Sequence, residues 1–283
     1  MKILTNENMK KNYFIMSVMV LATSVLANNL FAQGAYVNIN AGYGLKMSSQ
    51  NMPDYNISNL TMDSTSSKLE QINASLGKGF NVEGAFGYMF TKNIGAELGI
   101  SYLLGAKVKA KDTYMDGSTA DYILSANMLG INPSVVIAYG LNKINPYAKF
   151  GLIIGFGSIT YKEDHNETGS TEVRETKLNG GTAFGLNAGA GVIFKLSKLL
   201  SLFGEIEMVN LSYSPAKGKL TKYTINGADQ LPNLKTSEKE IDFVDQYTMD
   251  SKNPRPDSEP RQELKQKFPF GSVGLNIGLR IRL

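Results

Sequence analysis

Apolar and polar residues alternate to the very end of this chain. In Ser272–Leu283, Val273, Leu275, Ile277, Leu279, Ile281 and Leu283 share one parity, and Gly274, Asn276, Gly278, Arg280 and Arg282 share the other. A strand points successive side chains to opposite faces, so one face here is wholly apolar and the other carries two guanidinium groups.

The same period recurs seven more times. In Ala35–Met47, Val37, Ile39, Ala41, Tyr43 and Leu45 oppose Asn38, Asn40, Gly42, Gly44 and Lys46. Phe80–Phe90 sets Val82, Phe86 and Tyr88 against Asn81, Glu83 and Gly87, and Ile94–Leu104 sets Leu98, Ile100 and Tyr102 against Glu97 and Ser101. Leu129–Gly140 presents Ile131, Val135, Ile137 and Tyr139, and Pro146–Tyr161 sets Phe150, Leu152, Ile154 and Phe156 against Tyr147, Lys149 and several glycines. Thr182–Phe194 opposes Phe184, Leu186 and Val192 to Asn187 and glycines, and Leu200–Val209 opposes Leu202, Ile206 and Met208 to Glu205 and Glu207. Period-two runs bounded by turn residues predict strands. Pro133 lies inside the fourth run and has no N–H for a ladder, so a bulge or local break is expected there.

Eight strands are thus predicted, joined by connections of alternating length. Those near 91–93, 141–145 and 195–199 are short. Those near 48–79, 105–128, 158–181 and 210–268 are long and polar. An antiparallel meander with strands of ~10 residues, short turns at one end and long loops at the other is the signature of a transmembrane β-barrel. The sense of the alternation agrees. Eight strands enclose an interior only wide enough for side chains. The charge-bearing face, with Glu83, Glu97, Lys149, Glu205, Glu207, Arg280 and Arg282, therefore turns inward, and the larger apolar face turns to lipid. By level from the periplasmic end, Glu97, Lys149 and Arg280 are expected low and Glu83, Glu205 and Glu207 higher. Mixed signs imply a salt-bridged plug, because an unpaired buried charge is costly. Outward aromatics form two bands: Tyr43, Phe80, Tyr102, Phe156 and Phe184 near the long loops, and Tyr88, Phe90, Tyr139 and Phe194 near the short turns.

The N-terminus adds a compartment. Met9–Gln33 has a basic start and an apolar run too short to span a bilayer, which reads as a secretory signal within residues 1–32. Cleavage after Ala32 or after Ala27 fits, and Met9 is a second possible start. The mature chain, 33–283, is then one barrel domain.

Together the stretches FNVEGAFGYMFTKNIGAELGISYLLG and INPSVVIAYGLNKINPYAKFGLIIGFGS and the terminal strand resemble the eight-stranded OmpA/OmpX-like outer-membrane barrels, in the form common as outer-membrane β-barrel domain proteins of Bacteroidetes-type bacteria. The resemblance covers about residues 34–283. It implies the outer membrane of a Gram-negative cell, contact with outer-membrane lipid and lipopolysaccharide, and passage through periplasmic chaperones and the barrel-assembly machinery. The family usually ends in an aromatic residue, whereas the last residue here is Leu283.

Composition narrows the chemistry. The 283 residues hold 28 glycines, no cysteine, no tryptophan and one histidine, with a formal net charge of +4. Disulfides, thiolate metal sites, cysteine nucleophiles and multi-histidine metal sites are excluded. The charge is too mild for a nucleic-acid binder. His165, in KEDHNETG, is expected as a solvated loop residue without a catalytic role. GFGSIT and GAGVIF lack the third glycine and the following helix of a dinucleotide site, so no cofactor is expected. The largest loop, 210–268, is densely charged with both signs and holds a proline cluster, so it is expected to be mobile and extracellular. Two function classes follow: a structural or surface-interaction barrel whose loops meet a host or surface ligand, or a small-solute diffusion pore, porin-like in action.

Overall fold

The computed structural model describes residues 34–47, 58–249, 252 and 254–283. The predicted signal sequence lies outside the described residues.

Eight antiparallel strands close into a barrel: β1 (Gly34–Lys46), β2 (Gly79–Met89), β3 (Ile94–Gly105), β4 (Thr119–Ala138), β5 (Ile144–Glu167), β6 (Ala183–Lys195), β7 (Leu200–Tyr213) and β8 (Ser272–Arg282). Each pairs with its neighbour in sequence, and β8 returns to β1 with Ile39 opposite Leu279 and Tyr43 opposite Leu275. Closure removes the unpaired backbone edge that hydrocarbon cannot solvate. No helix among the described residues is long and apolar enough to cross a membrane.

The alternation sorts side chains as the pleat requires. Ile39, Leu98, Ile100, Val135, Ile137, Phe150, Leu152, Ile206, Leu275 and Ile277 project outward and are exposed. Asn38, Glu83, Glu97, Asn132, Lys149, Asn187, Glu205 and Asn276 project inward and are buried. Pro133 makes no bulge. Its strand pairs with β3 without interruption, Leu98 opposite Pro133, and only the rungs of Asn132 and Pro133 toward β5 are missing. The register on either side of that gap is unchanged, with Ile131 opposite Ile154 and Ser134 opposite Gly151. The missing N–H thus removes local pairing on one side, while the intact ladder on the other keeps the strand aligned.

The long connections depart most from expectation. β4 runs 20 residues and β5 runs 24, about twice a span, so both rise beyond the membrane as a paired ribbon. The segments expected as loops at 105–128 and 158–181 are hairpins: Val108–Thr113 pairs with the start of β4, and Ser170–Asn179 pairs with the end of β5. The 210–268 segment was expected to be mobile, yet it continues the same sheet. Lys217–Ile225 pairs with Ser170–Asn179, Glu240–Val244 pairs with Lys217–Lys219, and Arg261–Leu264 lies parallel to Glu240–Val244. A further hairpin, Ser58–Met62 with Ser67–Gln71, joins the opposite edge through Leu60 and Thr61 beside Asp112 and Thr113.

This outer sheet has its own core, and the alternation changes sense to make it. Along β4, Gly130, Asn132 and Ser134 face inward at membrane level, while Ala120, Tyr122, Leu124, Ala126 and Met128 face inward above it and are buried. They pack with Ile159, Tyr161, Leu178, Tyr213, Ile241 and Phe243. Outside the membrane water replaces lipid around the barrel, so apolar side chains gain by turning in.

Candidate functional site

The lumen is layered. At the periplasmic end Tyr36, Met89, Val136, Tyr147, Ile193 and Phe203 pack across the bore, with Tyr147 edge-on to Phe203 at 6.4 Å between ring centroids. Arg280 packs against this layer, its guanidinium carbon 3.9 Å from the centroid of Tyr36 and 5.7 Å from that of Tyr147.

The charged residues gather in two groups. Lys149 lies 2.9 Å from Glu205 and 3.6 Å from both Glu83 and Glu207. Arg280 lies 3.7 Å from Glu97. Lys149, expected low beside Glu97 and Arg280, instead belongs with the upper glutamates, because the stagger of the closed sheet runs its rung through Gly189 to Glu207. Arg282 joins neither group. It faces Tyr36 at the last rung of the seam, on the periplasmic side of the aromatic layer, and is exposed there.

Each glutamate has its own neutral donor from another strand. Asn132 donates to Glu83 at 2.7 Å, Asn38 to Glu97 at 2.7 Å, Tyr147 to Glu205 at 2.8 Å and Asn276 to Glu207 at 2.8 Å. These donors were not singled out from the sequence, although the inward parity of Asn38 and Asn276 was readable. Four carboxylates share two cations, and the amide and phenol donors supply the remaining stabilisation that a buried charge cluster needs. Glycine makes the room: a Cβ on Gly189 would meet Glu205 at 2.8 Å and Lys149 at 3.0 Å. The oxygens Oδ1 of Asn40, Asn81 and Asn132 have no protein donor and border a chamber of about 60 Å³, room enough for ordered water.

Above the chamber the outer mouth is corked by two segments that the sequence pattern left inside long loops. Ser75 and Leu76 insert beside Phe268 and Phe270, and Leu76, Phe268 and Phe270 are almost wholly buried. The Ser75 hydroxyl donates to Gly271 O at 2.6 Å, and Leu76 N–H donates to Pro269 O at 2.8 Å. Phe270 stands edge-on to Tyr213 at 6.0 Å. The bore is therefore filled at three levels: aromatic, ionic and apolar.

His165 is not a loop residue. It sits near the tip of β5 opposite Glu172, edge-on to Tyr122 at 5.9 Å. Ser170, Glu163 and Glu167 line the same hollow, and among the described residues no hydrogen bond joins His165 to them.

A closed eight-strand meander with an apolar belt, a charged interior and short turns at one end only is an outer-membrane architecture. The family profile of the outer membrane protein beta-barrel domain matches residues 14–231. The chain belongs to that family. Its place is the outer membrane of a Gram-negative cell, with the short turns in the periplasm and the extended sheet outside. Among solved structures, similarity extends to neisserial surface protein A, at 14% identity over 89% of this chain and 99% of that one, with a TM-score of 0.38. It extends also to Ail, the attachment invasion locus protein of Yersinia pestis, at 13% identity over 88% of this chain and 100% of that one, with a TM-score of 0.28. No curated protein sequence matches the chain significantly.

Proposed function

We propose that this protein is a closed surface platform: a plugged barrel anchors a rigid external sheet, and that sheet meets partners outside the cell. The observation that carries the reading is the shared apolar core of the outer sheet and the cork. Leu124, Ile159, Tyr213, Ile241, Phe243 and Phe270 belong to one buried cluster, so the structure that displays the outer surface also seals the bore. A diffusion pore needs a continuous water path, and among the described residues the ionic layer and the cork border a chamber of only about 60 Å³. Among the described residues the outer sheet ends in two hydrogen-bonding edges, at Ser67–Gln71 and at Arg261–Leu264, and its outward faces carry both charge signs. Such edges and charged rims suit a protein or surface-glycan partner.

The apolar belt faces outer-membrane lipid, with lipopolysaccharide in the outer leaflet. Periplasmic chaperones and the barrel-assembly machinery act only in biogenesis on this reading. No catalytic step belongs to it, and His165→Ala leaves surface binding unchanged. Planar-bilayer recording of the full chain tests the closed state. The expected trace is free of steady conductance. A large, constant open channel supports the diffusion-pore reading instead.

A further inference from the structure

The periplasmic mouth carries a chemistry that the closed lumen and the outer sheet do not use. Below the aromatic layer lies a crater of about 390 Å³ lined by Lys143, Lys195, Lys198, Arg280 and Arg282, with Asn142, Asn145 and Ser201 between them and no carboxylate side chain. Lys92 adjoins it through a small neighbouring hollow that also touches Arg280 and Arg282. Arg280 is held by Glu97. Lys143, Lys195, Lys198 and Arg282 make no ion pair among the described residues. The Oδ1 of Asn145 already accepts from Gly140 N–H at 2.8 Å, so its side chain has only N–H left to offer. The crater is blind, because Tyr36, Tyr147 and Phe203 close the bore behind it. It is therefore a place to bind and not an entrance.

The neighbours of these cations say where the ligand comes from. Leu141, Leu196 and Leu199 lie among the lysines on the same turns, Leu283 follows Arg282, and all four are strongly exposed. Leu196 and Leu283 keep the outward parity of β6 and β8 and so continue the lipid-facing belt, which puts the lysines at the level of the inner-leaflet headgroups, where each basic side chain near an anionic surface gains attraction. Such clustering of like charge is unfavourable unless an anion fills it.

We propose that this basic crater binds the phosphate headgroup of an anionic phospholipid of the inner leaflet, with Lys143, Lys195, Lys198 and Arg282 around the phosphate and the acyl chains lying on the leucine rim. The site would clamp the barrel's periplasmic end to phosphatidylglycerol or cardiolipin in preference to zwitterionic phosphatidylethanolamine.

The test uses the full chain in mild detergent, with lipid retention read by native mass spectrometry against equal amounts of phosphatidylglycerol and phosphatidylethanolamine. The wild-type chain should retain phosphatidylglycerol with about a tenfold or greater preference. The triple variant Lys143→Gln, Lys195→Gln, Lys198→Gln should lose it, while the three lysine-to-arginine changes should keep it. Heat-modifiable gel migration checks that every variant is a folded barrel, and the positions lie at exposed turn and strand ends where folding does not depend on them. Equal retention of both lipids by the wild type overturns the proposal, as does a preference that survives the triple glutamine variant. Binding of inorganic phosphate without any lipid preference also overturns it, in favour of a soluble anion as ligand.

Discussion

Asn38 and Arg280 are register partners across the seam where β1 meets β8, and the Arg280 Nε donates to Asn38 Oδ1 at 2.9 Å. The Asn38 amide in turn donates to Glu97 on β3 at 2.7 Å. The last strand is thus tied to the first by side chains as well as by backbone, through a relay that ends on a buried carboxylate. Replacing Arg280 by Met leaves Glu97 without its cation in the bore. Removing one partner of a buried pair costs about 3–5 kcal/mol. Urea unfolding of the refolded barrel should show that loss as a lower midpoint. Adding Glu97→Gln should recover a substantial part of it, because the stranded charge is then gone. If the double variant is no more stable than Arg280→Met, the relay is not what stabilises the seam.

The upper ionic group makes a different prediction, because one ammonium serves three carboxylates. Lys149→Met should destabilise more than any single glutamine replacement among Glu83, Glu205 and Glu207, since each glutamate keeps its own asparagine or tyrosine donor. Unfolding midpoints of the four variants under one set of conditions decide the order.

Phe270 tests the cork. It is almost fully buried between the outer sheet and the chamber. Phe270→Ala should cost about 3–5 kcal/mol as a large-to-small core change. The bilayer trace should stay without steady conductance, because the ionic and aromatic layers still fill the bore. A Phe270→Ala protein that conducts steadily would make the cork the sole seal.

The inversion along β4 separates two environments on one strand. Val135→Lys places a charge toward hydrocarbon and should cost about 2–4 kcal/mol near the bilayer midplane. Leu124→Lys places one in the apolar interior of the outer sheet. It should expose that sheet to limited proteolysis while the barrel still migrates as a heat-modifiable species. Loss of the barrel itself in Leu124→Lys would mean that the outer sheet and the membrane strands fold as one unit.

That inversion also explains which parts of the structure the sequence made legible. Within the membrane the solvent outside is uniformly apolar, so parity alone assigned Ile137 to lipid and Glu97 to the bore, and the strand count, closure and short turns followed. Above the membrane the same period persists in Ala120, Tyr122, Leu124, Ala126 and Met128, but its sense is reversed. Periodicity gives a strand without saying which face is wet, and this segment, interrupted by polar Asp121, Ser125 and Asn127, read as loop. The cork was hidden for another reason. Leu76 and Phe270 lie far apart in sequence, in segments too short for a period, and only tertiary contact brings them together. The charged residues were readable as inward but not as partners. Levels counted along single strands miss the stagger of a closed barrel, by which the rung of Lys149 runs through Gly189 to Glu207.

The edge hairpin, Ser58–Met62 with Ser67–Gln71, turns on Asp63. Its carboxylate accepts from Thr65 N–H and Ser66 N–H at 2.8 Å each, and from the hydroxyls of Thr65 at 3.0 Å and Ser66 at 2.9 Å. These four donors, led by the Thr65 backbone N–H, stabilise the charged form and hold the carboxyl at about 2, below its ordinary value of 3.8. A carboxyl with a depressed folded-state value favours the turn at any pH above its unfolded value, and that contribution disappears as the pH falls from about 3.8 through about 2. Amide exchange of Thr65 and Ser66 should therefore be slow and flat from neutral pH down to about 4, after correction for the intrinsic rate, and should rise below that. Asp63→Asn keeps an acceptor without the titrating charge, so it should flatten the acid limb. It should also weaken protection at neutral pH, because hydrogen bonds to a charged acceptor are the stronger ones. An acid limb unchanged in Asp63→Asn would assign the loss of the hairpin to another carboxylate of the outer sheet.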